Sequence, residues 1–366
     1  MSGVRVPHHP PAASSLFPSA RMILPPLRAG RSMSDTPLGP LLDSRPPALA
    51  VQAVAGLVAT HWGLTGPLTP LTSERDLNHR LDAPEGRFVV KIANRAEPHA
   101  MTRMQSRALR HAAAADPGLP IPRVIATRDG ADDVVLPSGE LLRLLTWVEG
   151  APLAVLPAHR ARASAVAGLG ARLARALRGF ADPAADHDLQ WDIKHALRLR
   201  PLLPHITDPW LHDLASATLD AFEAQVTPVL PALRWQVIHG DLNPHNLLGD
   251  PAAPDRVTGI LDFGDMVRTP LLCDLAIAAA YQIDPEDGPA SLAAFAEAWH
   301  AVDPLTDQEA RLLPVMVAAR MVTTLAITSF RAARYPENAA YILRNFPSAA
   351  AGLTALASHP KLKARP

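Results

Sequence analysis

Cysteine is nearly absent from this chain of 366 residues: Cys273 stands alone. No intrachain disulfide can form, and a reducing cytoplasm is the expected setting. Lysine is scarce as well, occurring only at Lys91, Lys194, Lys361 and Lys363, while the other basic residues are arginine. A lysine inside so arginine-rich a chain has to be accounted for, Lys91 and Lys194 above all. An excess of either charge is also missing, since Lys+Arg and Asp+Glu each number 35. That balance argues against nucleic acid or a membrane surface as a partner, because both require clustered basic charge. The sequence G-x-x-x-x-G-K-[ST] does not occur, which removes a Walker-type phosphate loop.

Residues 1–46 contain no acidic side chain before Asp35 and are rich in Pro, Ser, Ala and Arg. They hold no apolar stretch of secretory-signal length, and proline interrupts each helical reading. They are expected to form a disordered leader outside the fold, either an Arg-rich transit peptide or a segment preceding a true start at Met33. One apolar run is long enough to consider for a membrane: "LLPVMVAARMVTTLAITSF" at 312–330. Arg320 lies near its centre, where insertion costs roughly 2.5–3.5 kcal/mol. Pro314 and several hydroxyl side chains weaken that reading further, so a buried core helix is expected.

Between these limits the pattern changes once. Residues 47–62 have helical spacing, and "GPLTPLTSERDLNHRL" reads as strand, loop, strand. In "GRFVVKIA" at 86–93, Phe88, Val90 and Ile92 face one way and Val89 and Lys91 the other. A helix is expected over 97–115, then two or three short strands up to 148, with turns at Asp129-Gly130 and Ser138-Gly139. After Glu149-Gly150, Ala/Leu/Arg-rich segments predict helices at 158–180, 194–205, 210–228, 272–282, 290–301, 307–332 and 336–355. Strand character interrupts them only at 235–262. The expected domains are a nucleotide-binding lobe at 47–148, a helical lobe at 149–358 and a tail at 359–366.

The chemistry concentrates in "VIHGDLNPHNLLGD" at 237–250 and "VTGILDFGD" at 257–265. Each is a short strand that ends in polar residues, so Asp241, Asn246 and Asp262 can converge at neighbouring strand ends. Such oxygen donors suit a hard cation such as Mg²⁺. Asp-x-x-x-x-Asn followed by Asp-Phe-Gly has the spacing of a kinase catalytic loop and its metal-binding tripeptide. Lys91, on an apolar strand, supplies the cation for nucleotide phosphates, or else is a strand-edge lysine with its head in water.

These pieces resemble the aminoglycoside phosphotransferase and choline kinase superfamily over roughly 50–355. "SERDLNHRL", "FVVKIAN", "RLLTWVEG", "WDIKHAL" and "RAARYPENAAYIL" match its hydroxylysine kinase branch best. The resemblance implies an α+β, bilobal, protein-kinase-like fold: a small antiparallel-sheet N-lobe with one main helix, and a larger, mostly helical C-lobe. It implies Asp241 as catalytic base, Asn246 and Asp262 as Mg²⁺ ligands and Lys91 on the phosphates of ATP or GTP. Ser73, Arg75 and Asn78 would belong to the loop over those phosphates. Leu145, Thr146, Trp147 and Val148 would meet the base at the hinge, and His239 would buttress the loop. One departure is visible: the helix after Lys91 has no clear acid to pair with it, leaving Glu97, Gln105 or no partner.

Several residues keep two readings. Asp274 reads as a helix cap or loop anchor, and Asp265 as a metal or substrate contact or a turn acid. Trp191 and Asp192 would hold a substrate ammonium, or be a packed Trp beside a capping Asp, with Lys194 in solvent. Arg320 would pair with a core carboxylate, or bind the carboxylate of an amino-acid substrate. The expected activity is phosphoryl transfer to an amino alcohol or hydroxy-amino acid, first 5-hydroxylysine. Alternatives are kinases for aminoglycosides, choline or homoserine, a nucleotide-binding pseudokinase, and a metallohydrolase built on His239, Asp241 and His245.

Overall fold

The computed structural model describes residues 46–362 apart from 74, 158 and 160. The expected leader therefore lies outside the described residues except for Pro46, as does the tail beyond Leu362. The first helix, α1 (Val51–Trp62), stops at Gly63, whose φ of 73° is a left-handed cap that a Cβ would strain. There follow β1 (Leu68–Leu71), β2 (Leu77–Ala83), β3 (Gly86–Ile92), α2 (His99–Ala115), β4 (Val124–Ile125), β5 (Val134–Val135) and β6 (Leu141–Thr146). The strands form an antiparallel sheet in the order β1-β2-β3-β6-β4, with β5 also on β6.

The period of two along β3 decides which core each side chain joins. Val90 and Ile92 pack with Val54 and Val58 of α1 and with Leu142 and Leu144 of β6. Val89 turns to the other face, toward a larger core that includes Met104, Ala108 and Leu109 of α2 and Leu145. Lys91 shares that second face.

The rest of the chain runs β7 (Ala151–Pro152), α3 (Arg162–Ala176), a 3₁₀ segment (Ile193–His205), α4 (Pro209–Gln225), β8 (Trp235–Ile238), β9 (Leu247–Asp250), β10 (Ala253–Ile260), β11 (Val267–Pro270), α5 (Leu272–Ala280), α6 (Gly288–His300), α7 (Asp307–Arg334), α8 (Ala339–Ile342) and α9 (Phe346–Leu356). Helix α7 runs through the core, and every residue from Leu312 to Ser329 is buried. Its start is held by a capping box of Thr306 and Glu309, and Arg234 adds a forked pair to Glu309 at 2.8 and 2.6 Å.

Three expectations need correction. Segment 194–205 is 3₁₀ rather than α, because Pro201 and Pro204 remove the donors an α-helix needs there. Segment 336–355 is broken into short pieces, with Pro336 and a 3₁₀ turn at Leu343–Asn345 ahead of α9. Strands β7 and β11 were not anticipated; both are short and end in proline. As expected, the two polar loops lie at neighbouring strand ends: β8 pairs with β11 through Ile238 and Val267, and β9 with β10 through Leu247 and Ile260.

Candidate active site

The loop between β8 and β9 is pinned from several sides. Asp274, fully buried in the first turn of α5, accepts the backbone N–H groups of His239 at 3.3 Å and Gly240 at 3.0 Å. It is the loop anchor of its two readings, while Leu271 takes the cap position of α5. Burial pushes its carboxyl up, partly offset by those same backbone bonds. Gly240 has φ 81°, and a Cβ there would lie 2.4 Å from the Asp265 carbonyl oxygen, so only glycine lets the two polar loops approach this closely.

His239 ties the loops together. Its Nδ1 accepts the Asp241 N–H at 3.2 Å, so Nε2 carries the proton and donates to the Leu261 carbonyl at 2.9 Å. The ring is thus neutral, and Phe263 meets it edge-on with centroids 4.8 Å apart. Both nitrogens are committed, which argues against His239 as a metal ligand and against the metallohydrolase reading. A second tie is the Leu261 N–H, which donates to the Asn246 carbonyl at 2.7 Å. Strand pairing continues this link, with Ile260 opposite Leu247.

The Asp241 carboxylate is held at both oxygens: Asn243 Nδ2 lies 2.8 Å from Oδ1, and Asn246 Nδ2 lies 2.7 Å from Oδ2. Burial and the neighbouring Asp265 carboxylate raise its carboxyl above the ordinary range, against the Arg320 guanidinium. Asp262 is a non-glycine residue with a left-handed backbone, φ 57° and ψ 83°, and its side chain accepts the Gly264 N–H at 3.2 Å. Surrounding protein raises the Asp262 carboxyl, but the Lys91 ammonium and Arg75 guanidinium outweigh that and leave it below the ordinary range. The side chain itself stays open to solvent in the cleft.

On the facing sheet, Lys91 is paired in register with Asn78. Its Nζ lies 3.6 Å from Asp76 Oδ2. The partner left undecided between Glu97, Gln105 and none is therefore Asp76. Register explains this: Asp76 precedes Asn78 by two residues, so it meets Lys91 diagonally across the hairpin. Glu97 instead accepts from Gln105 at 2.8 Å and Thr102 at 3.2 Å, and Gln105 accepts from buried Arg143 at 2.9 Å. The loop expected over 73–78 is shorter, because Asn78 already belongs to β2. Ser73 Oγ accepts the Asp76 N–H at 3.1 Å, and Asp76 Oδ1 accepts the Asn94 N–H at 3.1 Å. Arg75 reaches Asp265 at 3.0 Å, so Asp265 receives the arm of the opposite loop.

At the hinge, Leu145 is buried and pairs with Val89 and Val124. The N–H groups of Thr146 and Trp147 are already bonded to Arg123 O at 2.9 Å and Arg87 O at 3.0 Å. Of the four hinge residues, Val148 is left with an N–H that has no partner among the described residues.

The substrate-side expectations divide. Asp192 caps the 3₁₀ segment, accepts the Thr269 hydroxyl at 2.9 Å and pairs with Lys194 at 2.7 Å, with its side chain wholly buried. It is not available to a substrate. Lys194, expected in solvent, is drawn in by that pair and donates to Arg268 O at 2.9 Å. Trp191 turns its ring toward Arg320, whose guanidinium carbon lies 5.6 Å from the ring centroid. Arg320 in turn reaches Asp241 at 3.5 Å, so it belongs to the site itself.

Sequence reasoning missed Asp76, Asn243, Asn94, Arg143 and Tyr281. Only Asn243 had a local signal, inside the quoted loop; Asp76 meets Lys91 through strand register, which only the folded chain supplies.

The chain belongs to the phosphotransferase enzyme family (APH), whose pattern matches residues 68–313. Hydroxylysine kinase of Mus musculus is 26% identical over 329 residues, covering 82% of this chain and 87% of that protein. Aminoglycoside 3'-phosphotransferase of Streptomyces fradiae is 31% identical over 235 residues, 60% of this chain and 82% of that protein. A microcompartment-associated aminopropanol kinase shares the fold with a TM-score of 0.61 and 19% identity, covering 83% of this chain and all (100%) of that one. The fold is the bilobal, kinase-like one expected. The chain is a small-molecule kinase: a phosphotransferase with a nucleotide co-substrate and an alcohol group as acceptor.

Proposed function

We propose that the chain transfers the γ-phosphoryl group of ATP or GTP to the hydroxyl of an amino alcohol or hydroxy-amino acid, with 5-hydroxylysine the first acceptor to test. The hydroxylysine kinase relatives support that choice. The observation that carries the reading is the Leu261 to Asn246 backbone bond of 2.7 Å, which joins the tips bearing Asp241, Asn246 and Asp262. Lys91 acts on Asp262 across the cleft.

Asp241 accepts the acceptor's hydroxyl proton while the oxygen attacks the γ-phosphorus. The bond from that phosphorus to the β–γ bridging oxygen breaks, and the nucleoside diphosphate leaves. A carboxyl raised toward working pH is a better base than an ordinary aspartate. Lys91 meets the α- and β-phosphates under Ser73 and Arg75, and the Val148 N–H meets the nucleotide base.

The donor set fits Mg²⁺. Asn246 spends its amide N–H on Asp241, which leaves its carbonyl oxygen as an acceptor, and Asp262 presents an open, readily ionised carboxylate. Two such ligands are the small protein share Mg²⁺ takes when phosphates supply the rest. When bound, the ion neutralises charge on the β- and γ-phosphates.

The test is a panel of acceptors (5-hydroxylysine, homoserine, choline, an aminopropanol and an aminoglycoside), each with ATP and with GTP and Mg²⁺. Phosphorylated product is read directly by mass. Product from at least one alcohol is expected. A full panel without product, from protein that binds nucleotide, would favour a pseudokinase instead.

A further inference from the structure

Arg320 sits in the middle of α7 with only 3% of its surface exposed. Its neighbours serve it poorly. Nη2 lies 3.5 Å from Asp241 Oδ1 and 3.2 Å from the Tyr281 hydroxyl, and Nη1 lies 3.3 Å from the Trp191 carbonyl. All three distances are at or beyond the long end of good hydrogen bonds. Nε is buried with no partner among the described residues. A buried guanidinium with an idle donor carries a desolvation cost that these contacts do not return.

Asp241 is not the missing partner, because its oxygens already accept shorter bonds from Asn243 at 2.8 Å and Asn246 at 2.7 Å. Around the fork stand two aromatic rings, Trp191 with its centroid 5.6 Å away and Tyr281 at 5.9 Å. A fixed cation, flanking aromatic rings and unspent donors are the chemistry that pairs with a planar anion.

We propose that Arg320 is a specificity-determining residue: it binds the carboxylate of the acceptor and so selects hydroxy acids over amino alcohols and amino sugars. This rests on the kinase reading above and narrows its acceptor class. Trp191 and Tyr281 hold the guanidinium in place, and Asp241 receives the hydroxyl of the same molecule. The acceptor therefore spans both groups, with hydroxyl and carboxylate on one flexible chain.

The experiment compares 5-hydroxylysine with its carboxamide on the full chain, by kcat/KM and by thermal shift without nucleotide. The parent protein is expected to favour the acid by roughly 30- to 100-fold, the weight of a charge-assisted forked contact. Arg320→Gln should bring the acid-to-amide ratio to within a few-fold, whatever happens to kcat. Arg320→Lys, which keeps the charge and loses the fork, should give an intermediate ratio if the Gln variant fails to fold. A parent with no preference for the acid, a best acceptor without a carboxylate, or an R320Q loss equal for acid and amide would overturn the proposal, the last leaving Arg320 a positioning residue for Asp241. An acid-specific thermal shift that R320Q abolishes, without phosphorylation of either compound, would strike the kinase reading and keep the carboxylate contact. Equal phosphorylation of both compounds does the reverse.

Discussion

Two loops face each other across the cleft, and they are built in opposite ways. The loop at 239–246 is set by groups with no freedom to relax: a buried carboxylate on two backbone N–H groups, a glycine pressed against a carbonyl, a neutral histidine bonded on both sides. Opposite it, Ser73, Arg75 and Asp76 are held by their own polar side chains and by two ion pairs to partly accessible partners, Lys91 and Asp265. The first is fixed by the interior of the protein. The second has ties that competing anions can replace. On the proposed reading, the groups assigned to the reacting atoms therefore sit on the rigid side, while the side assigned to the phosphates can yield.

Substitutions that break this contrast should rank accordingly. The largest effect is expected from Asp241→Asn, which keeps the shape and removes the base: kcat should fall by about 10²–10⁴-fold with the melting temperature little changed. Steady-state assays with the acceptor found in the panel check this, and a full-rate variant would take the base role from Asp241. Next is Asp274→Ala, which orphans two buried N–H groups and should cost about 2–4 kcal/mol of stability in denaturant titration. Loss of activity without loss of stability there would mean the loop is less rigid than drawn.

On the yielding side the effects shrink. Burial first, and then the Asp76 carboxylate, raise Glu97 above its ordinary value of 4.5. The folded state thus holds a proton that the unfolded chain releases, so stability falls as pH rises between the two values, by at most about 1.4 kcal/mol per pH unit. Glu97→Gln should flatten that part of a melting-temperature profile. Smallest of all, Asp76→Asn should leave stability within about 1 kcal/mol, as partly exposed ion pairs do. It should raise the nucleotide KM by roughly three- to ten-fold if Asp76 orients Lys91, a change of about 1 kcal/mol.

What was legible in the sequence follows the same division. Asp241, Asn246 and Asp262 stand on short strand-loop units whose order and spacing suffice to name them. Lys91 was visible because a charge interrupts an apolar alternation. Its partner was not, because Asp76 meets it through the register of β2 on β3, and register is a tertiary fact. Asp192 takes the capping one of its two readings, whereas Lys194 misled for a related reason: a pair to Asp192 and a bond to the β11 backbone draw it inward, and β11 itself ends in a proline that hides it. The helices after 149 were found by their apolar spacing, whereas 194–205 and 336–355 were misjudged where proline shifts the bonding.

The backbone at Asp262 has one more consequence. A left-handed aspartate holds conformational strain of order 1 kcal/mol that a glycine would release. Glycine at 262 would release that strain but forfeit the bond from the Gly264 N–H and the pull of Lys91 and Arg75 on an ionised carboxylate. Backbone ease and side-chain charge compete here at a single α-carbon.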